Sequence, residues 1–254
     1  MSDDVLNIVL AVVAGGLGAA AGWFVRTLVR RRGLRRKQRF FGLPDGSDCL
    51  IVVNHDPGTR DGFVSRHDAF ALMELAALIK ECGAHADIVA HDTARQGFGV
   101  RTEFCVGGPV SHRRTEAHLR SLLPGIGVGT GHGQRPDDGS FLIGGRTYRL
   151  DEGATEYVLL ARLTGPQGGR PVFLACGQRG ITHQAAVRHL TRHHSALARR
   201  HGADGTFCLL LKVTNSDAYG PDVVELVADV TTAATTPAPV TPEATPAAAP
   251  EPRT

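Results

Sequence analysis

Two apolar runs in this chain end in the same pair of residues. CLIVV (49–53) leads through Asn54 to His55 and Asp56, and DIVA (87–90) leads to His91 and Asp92. Imidazole and carboxylate side by side suit a divalent metal or acid–base chemistry. The plainer reading, which the spacing favours, is that Asp turns the chain and His faces water. Three further stretches are rich in glycine and small polar residues: Asn54 to Gly58, Gly107 to Ser111, and Gly177 to Thr182. Glycine lets backbone approach a ligand, and a helix that starts after such a loop offers N–H donors to an anion. The residues placed at a candidate ligand site are therefore Asn54, His55, Asp56, Asp92, Gly107, Gly108, Ser111, Gly177, Gln178, Arg179, Gly180 and Thr182.

None of these loops carries a motif that names a reaction. There is no G-x-G-x-x-G fingerprint, no G-K-[ST] phosphate loop and no G-x-S-x-G nucleophile elbow. The run 127–133, GVGTGHG, is glycine-rich but follows a helical pattern, which predicts a surface loop. His189 and His193 are four apart on a predicted helix, yet Arg188, Arg192, Arg199 and Arg200 share it and repel a cation. The five cysteines have no paired metal spacing, so no metal site is expected. Cys49, Cys105 and Cys176 lie in or beside apolar runs, which predicts buried free thiols in a reducing compartment.

The elements that must position the loops alternate between strand-like and helix-like runs. Strands are expected at 49–54, 86–92, 102–109, 156–163, 171–177, 207–213 and 223–230. Helices are expected at 65–82, 111–123 and 182–201. Ser65 and Asp68 have capping-box spacing, and Gly83 and Gly202 stop their helices. Residues 141–150 predict a hairpin with Gly144 and Gly145 at the turn. Recurring strand–loop–helix units predict an α/β fold, a Rossmann-like three-layer sandwich with a mostly parallel sheet and antiparallel additions. An α+β fold with a large antiparallel sheet is the alternative.

At the N-terminus, residues 5–25 are apolar apart from Asn7, about the length of a membrane span. Asp3 and Asp4 precede the run, and eight Arg or Lys residues follow it between Arg26 and Arg39. That asymmetry predicts one uncleaved transmembrane helix with the N-terminus outside and the main domain cytoplasmic. Trp23 and Phe24 sit at an interfacial position. Gly18 and Gly22, with Gly15 and Ala19, have the spacing of a helix-packing groove, which permits a homodimer through that helix; the alternative is that the span is simply rich in Gly and Ala. The chain's charge of +3 is carried by the basic cluster; the remainder is mildly acidic, which argues against nucleic acid as a partner. The expected partners are the lipid bilayer and a small anionic ligand. Residues 231–254 are Pro, Ala and Thr with almost no large apolar side chain, which predicts a disordered tail. The organisation expected is an anchor (1–25), a basic juxtamembrane segment (26–40), an α/β domain (41–230) and that tail.

The segments GGPVSHRRTEAHL, EYVLLARL and VFLACGQRGITHQAAVRHL, over roughly 49–230, resemble uncharacterised bacterial α/β domains. The excess of Arg over Lys resembles actinobacterial proteins. The resemblance implies a membrane-anchored Rossmann-like domain and no particular activity; His112 stands where its pattern has Asn. Three functions remain open on these residues: a small-molecule binding or sensor module, an enzyme acting on a nucleotide-like or other anionic small molecule, and a scaffold whose loops only turn the chain.

Overall fold

The structure is a computed structural model. It describes residues 2–54, 64–129, 139–165 and 167–237, with the side chains of 2–6 and 9–19 left aside. The chain opens with a 40-residue helix, α1 (Ser2–Phe41). Among the described residues no helix is long and apolar enough to cross a membrane, which corrects the expected transmembrane anchor. The boundary expected at residue 25 is not a structural one. Arginine and lysine are good helix formers, so α1 runs unbroken through the basic cluster and ends inside the domain. The packing groove expected at Gly15, Gly18 and Ala19 lies outside the described side chains.

The end of α1 is held firmly. Phe40 and Phe41 are fully buried. They pack against Phe173 at ring distances of 6.0 and 5.5 Å. The buried Arg162 donates from Nε to the Phe40 carbonyl (3.1 Å). Gln38 donates to the Cys82 carbonyl (2.8 Å).

After α1 come β1 (Asp48–Val53), α2 (Arg66–Glu81), β2 (His85–Ala90), β3 (Thr102–Val106) and α3 (Arg113–Leu122). A small sheet follows, made of β4 (Ile126–Val128), β5 (Phe141–Ile143) and β6 (Arg146–Tyr148). The chain continues with β7 (Thr155–Leu163), β8 (Val172–Gly177), α4 (Gly180–His201), β9 (Phe207–Thr214), α5 (Ser216–Tyr219), β10 (Val224–Asp229) and α6 (Thr231–Thr235). The main sheet has the order β10-β9-β7-β8-β3-β1-β2. The pairs β1–β2, β1–β3 and β3–β8 are parallel. The pairs β7–β8, β7–β9 and β9–β10 are antiparallel, and so is the whole of the small sheet.

The mostly parallel Rossmann-like sheet is thus corrected to a mixed α/β fold in which antiparallel pairings outnumber parallel ones. The reason lies in the connections. The link from β7 to β8 has no helix and only eight residues (164–171), too short for a parallel crossover. Both strands are nevertheless buried almost throughout, because layers cover both faces of the sheet. A continuous apolar run reports burial on two faces, not strand direction.

Alternate residues build two cores. Ile51, Val53, Phe104, Val106, Phe173 and Leu209 face α2, α4 and the end of α1. Leu50, Val52, Cys105, Leu174 and Leu210 face α3, the small sheet and α6. The run read as a surface loop at 127–133 begins instead as β4, while residues 130–133 lie outside the described residues. Residues 231–235, read as the start of the tail, form α6 and bury Ala234 against the second core; residues 238–254 lie outside the described residues. The hairpin turn falls at Gly144 and Gly145, both with positive φ (57° and 79°), as a two-residue turn requires.

All five cysteines are free and buried. Burial is the leading cause that pushes Cys49 and Cys208 up to about 12 and Cys82 to about 11, and that pushes Cys105 and Cys176 well above the ordinary thiol range. A thiolate is the reactive form. The native protein is therefore expected to show almost no thiol reactive to Ellman's reagent at pH 8, and all five after denaturation. Rapid labelling of even one native thiol would contradict this packing.

Candidate functional site

β1, β3 and β8 are adjacent and parallel, so their carboxyl ends lie at one edge of the sheet. β1 leads through α2 to β2 on one side, and β3 leads through α3 towards the other. The crevice between β1 and β3 is a topological switch point, where open α/β sheets hold ligands. A cleft of about 260 Å³ opens there. Of the twelve residues placed at a site by sequence, Asn54, Gly108, Ser111, Gly177, Gln178, Arg179 and Gly180 line it, joined by Ser65, Asp68, Val110, Gly139 and His183.

The loops are locked to one another. Asn54 Nδ2 donates to Ser111 Oγ at 2.7 Å, tying the end of β1 to the end of β3. A Cβ on Gly108 would lie 2.6 Å from the Gly177 carbonyl oxygen, so the β3 and β8 loops touch through backbone alone. Gly107 takes φ +153°, and a Cβ there would strike the His112 ring at 2.7 Å. His112 rather than Ser111 caps α3: its Nδ1 accepts from the Thr115 N–H at 3.0 Å. Asn54 Oδ1 is buried and has no partner among the described residues.

Residues at the start of α2 (Ser65, Asp68) and of α4 (Arg179, Gly180, His183) line this cleft. Ser65 caps α2 by accepting from the Asp68 N–H (3.1 Å), and its hydroxyl donates to Asp68 Oδ2 (2.8 Å). On the other side, Asp68 Oδ1 lies 2.7 Å from His183 Nδ1 across the α2–α4 interface. Both side chains are about 6 % exposed. His183 Nε2 faces the Gly177 carbonyl at 3.4 Å. The carboxylate holds the ring with Nδ1 as donor, an orientation seen where imidazole is used for proton transfer.

Other sequence candidates serve the framework. The Gln178 side chain accepts from the Tyr157 N–H (2.8 Å) and donates to the Gly139 and Tyr148 carbonyls (both 3.1 Å), joining the small sheet to the main one. Thr182 is buried and donates to the Arg179 carbonyl (2.7 Å). Arg179 lines the cleft, but its guanidinium also bonds the buried Glu156 (2.6 Å) and Glu152 (3.1 Å). Asp92 lies exposed in the turn after β2, away from the cleft. The His91 ring lies tilted against that of His112, with centres 5.2 Å apart, and accepts from the Arg113 N–H. His55 and Asp56 lie outside the described residues.

Sequence reasoning missed Asp68 and His183 as site residues. Their one local signal was the Ser65/Asp68 capping spacing, which explains Asp68 without reference to a site. The two are 115 positions apart and meet only because α2 packs on α4.

A second buried polar cluster joins Glu103, Cys105 and His118, whose ligand-type atoms lie within 4.8 Å of one another. Arg114 binds both Glu103 oxygens at 2.7 Å. A guanidinium already holds the carboxylate that a cation would need, so the cluster docks α3 on β3.

Compared with known proteins, the chain matches no family model, no curated protein and no solved structure.

Proposed function

We propose that the cleft at the ends of β1, β3 and β8 binds a small polar ligand bearing an anionic group, and that the domain is a binding or sensor module. The observation that carries this reading is the convergence of the ends of β1, β3 and β8 and of the first residues of α2 and α4 on one cleft. Helix N-termini present unpaired N–H groups and partial positive charge to an anion. The unpartnered Asn54 Oδ1 adds an acceptor for a ligand hydroxyl or amine.

The test is a thermal-shift screen of the full chain against nucleotides, sugar phosphates and dicarboxylates at millimolar concentration. A ligand at 100 times its Kd adds about 2.7 kcal/mol of stability. Ser111→Leu, at an exposed position of the cleft wall, is expected to remove that shift. It also breaks the Asn54–Ser111 hydrogen bond, so the unliganded protein should lose about 1 kcal/mol and remain folded. A panel without any stabilising compound, or a shift that survives Ser111→Leu, would sink the reading.

The Asp68–His183 pair favours a second reading, an enzyme acting on such a ligand. Asp68 would orient the ring, and His183 would exchange a proton with the ligand through Nε2, the ligand replacing its long contact with the Gly177 carbonyl (3.4 Å). His183→Gln should then keep the thermal shift and abolish turnover of the stabilising compound. A wild-type protein that binds the compound and leaves it unchanged removes this second reading.

A further inference from the structure

A different cleft, of about 400 Å³, opens at the opposite edge of the sheet, at the root of α1. Arg35 and Arg39 reach it from one ridge of α1, being four residues apart. Arg162 comes from the end of β7, and Arg170 from the link into β8. Four guanidiniums line this space with one carboxylate, Asp204, which pairs with Arg39.

Arg162 is only 2 % exposed. Two of its five N–H donors are used, by the Phe40 carbonyl (3.1 Å) and the Gly205 carbonyl (2.9 Å). Its guanidinium lies 5.8 and 5.9 Å from the Phe40 and Phe173 ring centres. Among the described residues no carboxylate forms an ion pair with Arg162, Arg170 or Arg35. Arg170 donates to the Gly42 carbonyl (3.1 Å). Burial pushes the Arg162 guanidinium down from its ordinary value. The carbonyls at the end of α1 supply only about half a negative charge. Buried charges are ordinarily paired, and like charges four apart on a helix repel. The cleft therefore gathers more positive charge than its own residues neutralise.

We propose that this cleft binds a phosphate group, free or esterified, through Arg35, Arg39 and Arg170, with Arg162 as the buried charge beneath it. The planar guanidinium fork matches phosphate oxygens two at a time. The competing explanation is that these arginines only cap the carbonyls at the end of α1. Arg35 separates the two, because its side chain makes no hydrogen bond or ion pair among the described residues.

Titration calorimetry of the full chain with pyrophosphate and with inorganic phosphate at low salt tests the proposal. Arg35→Gln and Arg170→Gln are each expected to weaken pyrophosphate binding about tenfold, near 1.4 kcal/mol. Asp204→Asn, which removes the competing carboxylate, is expected to tighten it. Arg146→Gln, at an exposed arginine that lines neither cleft, should leave it unchanged. A parallel flotation arm uses phosphatidylglycerol vesicles against phosphatidylcholine vesicles. Anionic-vesicle binding that pyrophosphate displaces and Arg170→Gln weakens assigns the phosphate to a lipid headgroup. Pyrophosphate binding without vesicle binding assigns it to a soluble phosphate. Failure of both arms, or binding that Arg35→Gln and Arg170→Gln leave intact, overturns the proposal. Arg35 is exposed, so its replacement does not threaten the fold.

Discussion

Replacing Glu103 by Ala is expected to cost about 3–5 kcal/mol of stability, the range for breaking a buried ion pair. Glu103 is 1 % exposed, and its partner Arg114 is 15 % exposed. The carboxylate accepts from Arg114 at both oxygens, from His118 Nε2 (3.0 Å) and from the Cys105 thiol (3.1 Å). Burial alone would push its carboxyl up. The hydrogen bonds from Arg114 and His118 outweigh that and hold it well below the usual carboxylate range. Removing it leaves a guanidinium, an imidazole and a thiol without their common acceptor, and the contact of α3 with β3 depends on that acceptor. Urea denaturation should show a lower midpoint with an unchanged slope. The melting temperature should fall by roughly 10 °C for a domain of this size. The triple variant Glu103→Met, Arg114→Leu, His118→Leu is expected to recover much of the loss, because an apolar replacement removes the unpaired charges together. A single variant within 1 kcal/mol of wild type would show that the network is incidental.

Acidification from pH 7.5 to 4.5 is expected to remove about 2–3 kcal/mol through His112 alone. The ring is fully buried. Its Nδ1 accepts from the Thr115 N–H, and its Nε2 faces the Val52 carbonyl (3.3 Å), so the neutral form fits. Desolvation is the main reason its pKa falls from 6.5 to about 4. Above pH 6.5 the ring is neutral in folded and unfolded chains alike, so it contributes no pH dependence. Between 6.5 and 4 the unfolded chain binds a proton that the folded chain does not, and stability falls as pH falls. His189, lowered to about 4 by burial and by His193, adds to the same window. His112→Asn keeps an acceptor at the cap and removes the titration. It should be less stable than wild type at pH 7.5, having lost ring packing, yet lose less on acidification. The check is urea denaturation at both pH values. An equal loss in wild type and His112→Asn would place the acid sensitivity elsewhere.

Much of the element pattern was legible in the residues themselves. Helices at 66–81 and 180–201 follow from an apolar stripe with Ser65 at one start, and from Gly83 and Gly202 at the ends. The strands follow from short apolar runs, and burial of the free thiols from their place in or near them. The loop ends at Asn54, Gly107–Gly108 and Gly177 lie at one edge because two consecutive parallel pairings, β1–β3 and β3–β8, align their strands. Three things were settled only by tertiary structure. The direction of β7 against β8 depends on a connection too short to cross over, while their side chains look alike in either direction. An apolar stretch of 21 residues (5–25) reads locally as a membrane span, yet α1 is one helix whose basic half ends under Arg162 inside the core. The site's most constrained pair, Asp68 and His183, is invisible locally because each has an ordinary role on its own helix. Local pattern determines which residues turn, cap and bury. Which of them meet is decided by the packing of α2 on α4, a contact between segments more than a hundred residues apart.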